Sequence, residues 1–216
     1  MSTLDSRFLK LGDCFAQKFS TPGTVKYIVT AGTGGCLRVG ESAYTIEVKP
    51  GGSKKAKGKG SSTQQNVIVR LQGTTLTAEP GHLEIKVGDT VLWHTPDAAA
   101  PGFVVVGEGG KNSFNSGALS VESVYSHAFG APGTYEWVDA NGRSVHGVVR
   151  VKNFEVKKSD DYCKWMESLS KGVLIHVVGG KSEPSRVDIF AGQTVFWAVE
   201  RASGISITDS RFLFRG

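Results

Sequence analysis

Ile85-Lys-Val-Gly-Asp-Thr-Val-Leu-Trp93 and Ile189-Phe-Ala-Gly-Gln-Thr-Val-Phe-Trp197 are one pattern written twice, 104 residues apart (85 to 189). In each, an alternating apolar run meets a Gly-Asp or Gly-Gln turn and resumes as Thr-Val-x-Trp. Period-two alternation interrupted by a glycine turn marks two half-buried strands joined by a tight connection. The flanks keep the spacing, with Pro80 matched by Pro184 and Leu83 by Val187.

A second repeat lies outside the first. Phe15-Ala-Gln-Lys-Phe-Ser-Thr-Pro-Gly-Thr24 matches Tyr125-Ser-His-Ala-Phe-Gly-Ala-Pro-Gly-Thr134, 110 residues on (15 to 125). Both copies run into alternating strands, Val25-Lys-Tyr27 and Tyr135-Glu-Trp137, and both finish in a terminal strand, Thr45–Lys49 and Val148–Lys152. Repetition at a fixed spacing means a recurring structural unit. Cut by these repeats, residues 66–152 form a complete unit, 1–50 the back half of another and 172–216 a front half. A half-sandwich exposes an apolar face and open strand edges, so neither half is expected to stand alone. The halves have three ways to complete themselves: closing on each other within the chain, pairing head to tail between chains, or belonging to a longer array. The segment Asp5-Ser-Arg-Phe-Leu9 also recurs, as Asp209-Ser-Arg-Phe-Leu213.

For the complete unit, the pattern predicts strands over Val67–Leu71, Leu83–Val87, Thr90–His94, Phe103–Val106, Ser123–Phe129, Thr134–Val138 and Gly147–Val151. Residues 51–65 continue from Lys49 as a Lys/Gly-rich flexible linker without the apolar residues that would offset ordering entropy. Residues 153–171 form a second linker carrying one helix, Ser159–Lys171. In it, Ser159 is the expected cap, and Asp160 and Asp161 suit the positive end of the dipole. Tyr162, Trp165, Met166 and Leu169 form an apolar stripe, and Gly172 stops the helix.

Composition bounds the function. The chain has 216 residues, 39% of them hydrophobic, enough for a real core, and its 28 glycines suit a turn-rich β-protein. A net charge of +5 is mild for a dedicated nucleic-acid binder. Three cysteines, Cys14, Cys36 and Cys163, are an odd number without a short motif, which argues against a disulfide framework or a zinc site. No basic head with an apolar run opens the sequence, and no run reaches the roughly 18 apolar residues of a membrane span. A cytoplasmic protein with no membrane association is expected.

Val87-Gly-Asp-Thr-Val-Leu-Trp93 and Phe129-Gly-Ala-Pro-Gly-Thr-Tyr-Glu-Trp137 together resemble two hallmarks of the cupredoxin (plastocyanin-like) family. The resemblance spans residues 66–152 and, as halves, most of the rest. It implies an all-β fold: Greek-key, cupredoxin-like β-sandwiches in tandem with one short connecting helix. Members of that family hold a type 1 copper through two His, one Cys and a weak axial ligand, usually Met. Carried onto this chain, the first His position falls on Gly102 and Gly204, and the Cys position on Asp139 and Val29. The second His falls near Gly142, and the Met near Val145 or His146. Without thiolate or paired imidazoles, blue-copper chemistry has no site. The expectation is a protein with no cofactor.

Other chemistry is sparse. No Gly-x-Ser-x-Gly elbow occurs, and Gly107-Glu-Gly-Gly-Lys111 lacks the frame of a phosphate loop. No enzyme is expected. His94, His127, Asp139 and His146 are the candidates for a non-blue metal site. Lys54, Lys55, Lys57 and Lys59 are the candidates for binding an anionic partner or nucleic acid. The loops 95–102 and 139–146 would form the binding tip of the complete unit. The sequence therefore predicts a structural or protein-interaction module. Its partner is another protein or a second copy, engaged by half-sandwich complementation. The alternatives are anionic-partner binding through Lys49–Lys59 and an atypical copper-binding, electron-transfer protein.

Overall fold

The computed structural model describes residues 3–32, 44–51, 62–142, 145–155 and 158–213. The expected all-β class holds: one α-helix accompanies seventeen strands among the described residues. The chain divides into two compact units, Phe8–Gly117 and Met1–Arg7 with Ala118–Gly216.

The first unit, Phe8–Gly117, runs β1 (Asp13–Lys18), β2 (Gly23–Ala31), β3 (Tyr44–Lys49), β4 (Gln64–Gln72), β5 (Thr75–Glu79), β6 (His82–Lys86), β7 (Thr90–His94), β8 (Phe103–Glu108) and β9 (Phe114–Asn115). One of its sheets has the order β1-β7-β4-β5, the other β6-β3-β2-β8-β9. The inner faces meet over an aromatic core. Phe15 of β1 stacks on Trp93 of β7 at 5.5 Å, and Tyr27 of β2 sets its edge on Trp93 at 5.6 Å. Burial raises the Tyr27 phenol pKa well above its ordinary value, so the ring is neutral.

The second unit runs β10 (Ser123–Ala128), β11 (Gly133–Asp139), β12 (His146–Lys152), α1 (Ser159–Ser170), β13 (Val173–Val178), β14 (Lys181–Glu183), β15 (Arg186–Phe190), β16 (Thr194–Val199) and β17 (Ile207–Asp209). Its sheets are ordered β14-β13-β16-β10 and β15-β12-β11-β17. Tyr125 stacks on Trp197 at 5.6 Å and Trp137 meets Trp197 edge-on at 5.8 Å, the same design as the first unit.

These pairings divide the chain otherwise than the repeat boundaries suggested. Residues 66–152 are not one unit. The strand Thr90–His94 pairs with Asp13–Lys18, and Phe103–Glu108 pairs with Gly23–Ala31. The front half at 172–216 joins residues 118–152 rather than 1–50, because β10 pairs β16 and β11 pairs β17. Each back half thus takes the front half that follows it in the chain. The apolar pattern of a back half fits either front half equally well, so the repeat alone does not fix the choice.

The decisive turn is built the same way twice. Asp89 accepts from the backbone N–H of Lys86 (2.9 Å), and Gln193 accepts from that of Phe190 (2.7 Å). Gly88 and Gly192, with φ of 100° and 97°, supply the left-handed residue each turn needs. Gln193 also donates to Ser168 O (2.7 Å) and Lys171 O (3.1 Å), satisfying carbonyls at the end of α1. At the other end, the N-cap position is Lys158 and not the expected Ser159. The Lys158 backbone N–H donates to the Asp161 carboxylate at 3.0 Å. Trp165 of the stripe stacks on Phe154, whereas Tyr162 and Met166 are 51% and 46% exposed.

Residues from the start of the chain complete the second unit. Ser6 N donates to Ile207 O (2.8 Å), Ile207 N donates to Ser6 Oγ (2.9 Å), and Asp209 N donates to Leu4 O (3.0 Å). Leu4 is buried at 1% exposure. In the first unit Ser116 makes the same pair of bonds with Val105: N to O at 2.9 Å, and Val105 N to Ser116 Oγ at 2.9 Å. Leu4-Asp-Ser6 therefore occupies in one unit the place that Phe114-Asn-Ser116 occupies in the other.

Candidate functional site

The two loops of the predicted tip belong to different units, 95–102 to the first and 139–146 to the second. In the second unit, Asp139 at the end of β11 faces the stretch before β17. Its carboxylate, 3% exposed, accepts from Ser206 N and Asn141 N, each at 3.0 Å. Asn141 Nδ2 donates to Gly204 O (2.6 Å) and to Ser206 Oγ (2.9 Å), and Ala140 N donates to Ser206 O (2.8 Å). Asp139, which the sequence resemblance put at the thiolate position, is thus an acceptor joining two loops. In the first unit Gly32 N donates to Gly102 O, and Val29 lies opposite Val105. A Cβ on Gly102 would stand 3.0 Å from Phe8 Cβ and 3.1 Å from Lys10 Cε, so a side chain there requires those neighbours to shift by a few tenths of an ångström.

Of the four metal candidates, one lies in the first unit and three in the second. His94 lies in the first unit, opposite Cys14 on the neighbouring strand. His127 is buried at 1% exposure and packs edge-on against Phe129 at 4.7 Å, as its place two residues before that ring implies. His146 starts β12 with its ring exposed, and its carbonyl accepts from Ser182 Oγ. Among the described residues none of the four joins a group of three ligand-type atoms. Lys54, Lys55, Lys57, Lys59 and Cys36 lie outside the described residues. Cys14 and Cys163 form no disulfide.

One such group was missed. Glu47 on β3, with His82 and Glu84 on β6, offers three ligand atoms within 4.8 Å of one another. The strands are parallel, with Thr45 beside His82 and Glu47 beside Glu84, so all three side chains stand on the solvent face. Lys49 shares this face, with Nζ 2.8 Å from Glu84 and 3.7 Å from Glu47. The ion pair raises the Lys49 pKa and lowers that of Glu84. His-x-Glu on an alternating strand was a readable signal. Pairing that strand with Glu47 was not, because it needed the fold.

A second polar device appears in both copies of Asp-Ser-Arg. Arg7 Nε and Nη2 fork onto Asp5 at 2.8 and 2.9 Å, and Arg211 Nε and Nη2 fork onto Asp209 at 2.9 and 2.6 Å. Burial opposes ionisation of Asp209, but the Arg211 fork outweighs it and holds the carboxyl below the usual aspartate value.

Among the described residues no helix is long and apolar enough to cross a membrane. No family model, curated protein or solved structure matches the chain.

Proposed function

We propose that the chain is a non-catalytic structural or protein-interaction module of two copper-free, cupredoxin-like β-sandwiches that engages protein by strand complementation. The observation that carries this reading is the completion of the second unit by Leu4–Ser6, a segment some two hundred residues away from β17 in sequence. A slot that takes an extended strand by backbone hydrogen bonds and one buried side chain is a general means of recruiting protein. A second copy of the chain carries the fitting strand. Asp139 supports the copper-free part of the reading: its carboxylate is taken up by two backbone N–H groups where a cupredoxin places its thiolate.

The test is a labelled peptide spanning residues 2–8, titrated against the intact chain and against a Ser6→Pro variant that cannot donate to Ile207. The variant should bind the peptide and the wild type should bind it less. Light scattering on the wild type should show a dimer fraction that grows with concentration. A strictly monomeric protein whose opened slot ignores the peptide would refute complementation. A blue absorbance band on copper titration would refute the copper-free reading. For the anionic-partner alternative, Lys49 is the one described lysine of that loop, and it is paired with Glu84.

A further inference from the structure

We propose that Glu47, His82 and Glu84 form a surface site for a divalent first-row transition ion such as Zn²⁺, present in the first unit and lost from the matching place in the second, where Arg150 and Arg186 stand for Glu47 and His82.

Two carboxylate oxygens and one imidazole nitrogen are a donor set suited to such ions, with water in the remaining positions. The strands set the geometry. Glu47 and Glu84 are register partners, so two like charges stand side by side, an arrangement that costs stability unless a cation bridges it. Lys49 supplies part of that compensation through its bond to Glu84. A lysine salt bridge makes no use of an imidazole, however, and the His82 ring lies within 4.8 Å of both carboxylates.

The second unit provides an internal comparison. There β12 and β15 pair in parallel with the same register, and Arg150 lies beside Asp188, where Glu47 lies beside Glu84. Arg186 occupies the place of His82, and Lys152 that of Lys49, 3.7 Å from Asp188. The same outward row thus carries two arginines and a lysine around one aspartate in the second unit, whereas in the first it gathers three ligand atoms. Positive groups border the site: Lys86 is the register partner of Lys49, and Lys26 that of Thr45. The ion must displace Lys49 from Glu84, so the structure predicts a site of modest affinity.

The test uses the full chain. Zn²⁺ titrated calorimetrically should bind with one equivalent lost or weakened by about tenfold or more in His82→Ala and in Glu47→Gln. His176→Ala, which removes an exposed His–carboxylate pair in the second unit, should leave that equivalent in place. Lys49→Met should tighten binding up to about fivefold, the range of a surface ion pair. With Cu²⁺ as the probe, electron paramagnetic resonance should show coupling to one imidazole nitrogen that disappears in His82→Ala. Arg150→Glu with Arg186→His should create a second equivalent beside Asp188. Retention of the wild-type isotherm and nitrogen coupling in a folded His82→Ala variant would overturn the proposal, as would the absence of any saturable binding by the wild type.

Discussion

Leu4→Ala isolates the segment on which the proposed complementation depends. Leu4 is 1% exposed, and the residues facing its strand, Ile207 and Thr208, are buried as well. The substitution leaves the backbone bonds of Leu4 O and Ser6 N available, so its effect reads the side chain alone. Truncating a fully buried leucine costs about 2–5 kcal/mol, the upper end applying where neighbours do not collapse into the cavity. At 1.4 kcal/mol per decade, that raises the local opening constant by about thirtyfold to several thousandfold. Two units preclude a simple two-state analysis, so the assay is hydrogen exchange read by peptide rather than a single melting curve. Exchange should accelerate at Trp137–Asp139, which pair with β17, and at Ile207–Asp209. The matched variant Phe114→Ala should accelerate exchange at Val106 and Gly107, where β8 meets β9. Unchanged protection at Trp137–Asp139 in Leu4→Ala would mean that the buried leucine does not hold the strand in place, and the reasoning would fail.

Acid should act on the first unit through Asp89. Burial opposes its ionisation, yet the backbone N–H groups of Thr63 and Lys86 outweigh that and depress the pKa. A depressed carboxyl contributes stability above the ordinary aspartate value of about 3.9 and loses it as pH falls through the lower folded value. Urea midpoints for wild type should therefore fall below about pH 4, while Asp89→Asn should be less stable at pH 6 and flatter in acid; parallel curves would contradict this. Asp139→Ala leaves the N–H groups of Asn141 and Ser206 without their acceptor and should cost about 1–3 kcal/mol, read as faster exchange of Ser206. Trp93→Ala, at 0% exposure, should cost about 3–5 kcal/mol; an unchanged thermal transition would remove it from the core.

The strands themselves were legible. Thr90–His94 was read to the residue, and the other six predicted strands lie within one to three residues of Gln64–Gln72, His82–Lys86, Phe103–Glu108, Ser123–Ala128, Gly133–Asp139 and His146–Lys152. Alternation and turn residues are local signals, and they sufficed for this. The short strands Phe114–Asn115, Lys181–Glu183 and Ile207–Asp209 carry too few alternating residues to register, and the hairpin partner Thr75–Glu79, whose inward residues are Leu76 and the small Ala78, was passed over although it alternates. Strand pairing is non-local and was misread. Val91 and Trp93 suit Gln17 and Phe15 as well as they suit the matching His127 and Tyr125, so only the register shows which back half is used. The same misreading placed His94 in one unit with His127, Asp139 and His146, whereas it belongs to the other.

The contrast between the two units shows where function is written in such a scaffold. Inward positions repeat: Phe15 and Tyr125, Tyr27 and Trp137, and Trp93 and Trp197 occupy matching places, because one core geometry admits few side-chain volumes. Outward positions on the same strands answer only to solvent and to their lateral neighbours, so they diverge: Glu47 and His82 in one unit, Arg150 and Arg186 in the other. The closing strand stands between these cases. Its inward residues, Leu4 and Phe114, are apolar, and its serine is the same in both, whereas Arg7 is replaced by Gly117. Each unit thus closes over a buried apolar side chain, a serine hydroxyl and backbone bonds, with a different sequence in each. The proposed complementation by a second copy would present the same Leu4–Ser6 strand to this slot and make the same bonds, Ser6 N to Ile207 O, Asp209 N to Leu4 O and Ile207 N to Ser6 Oγ.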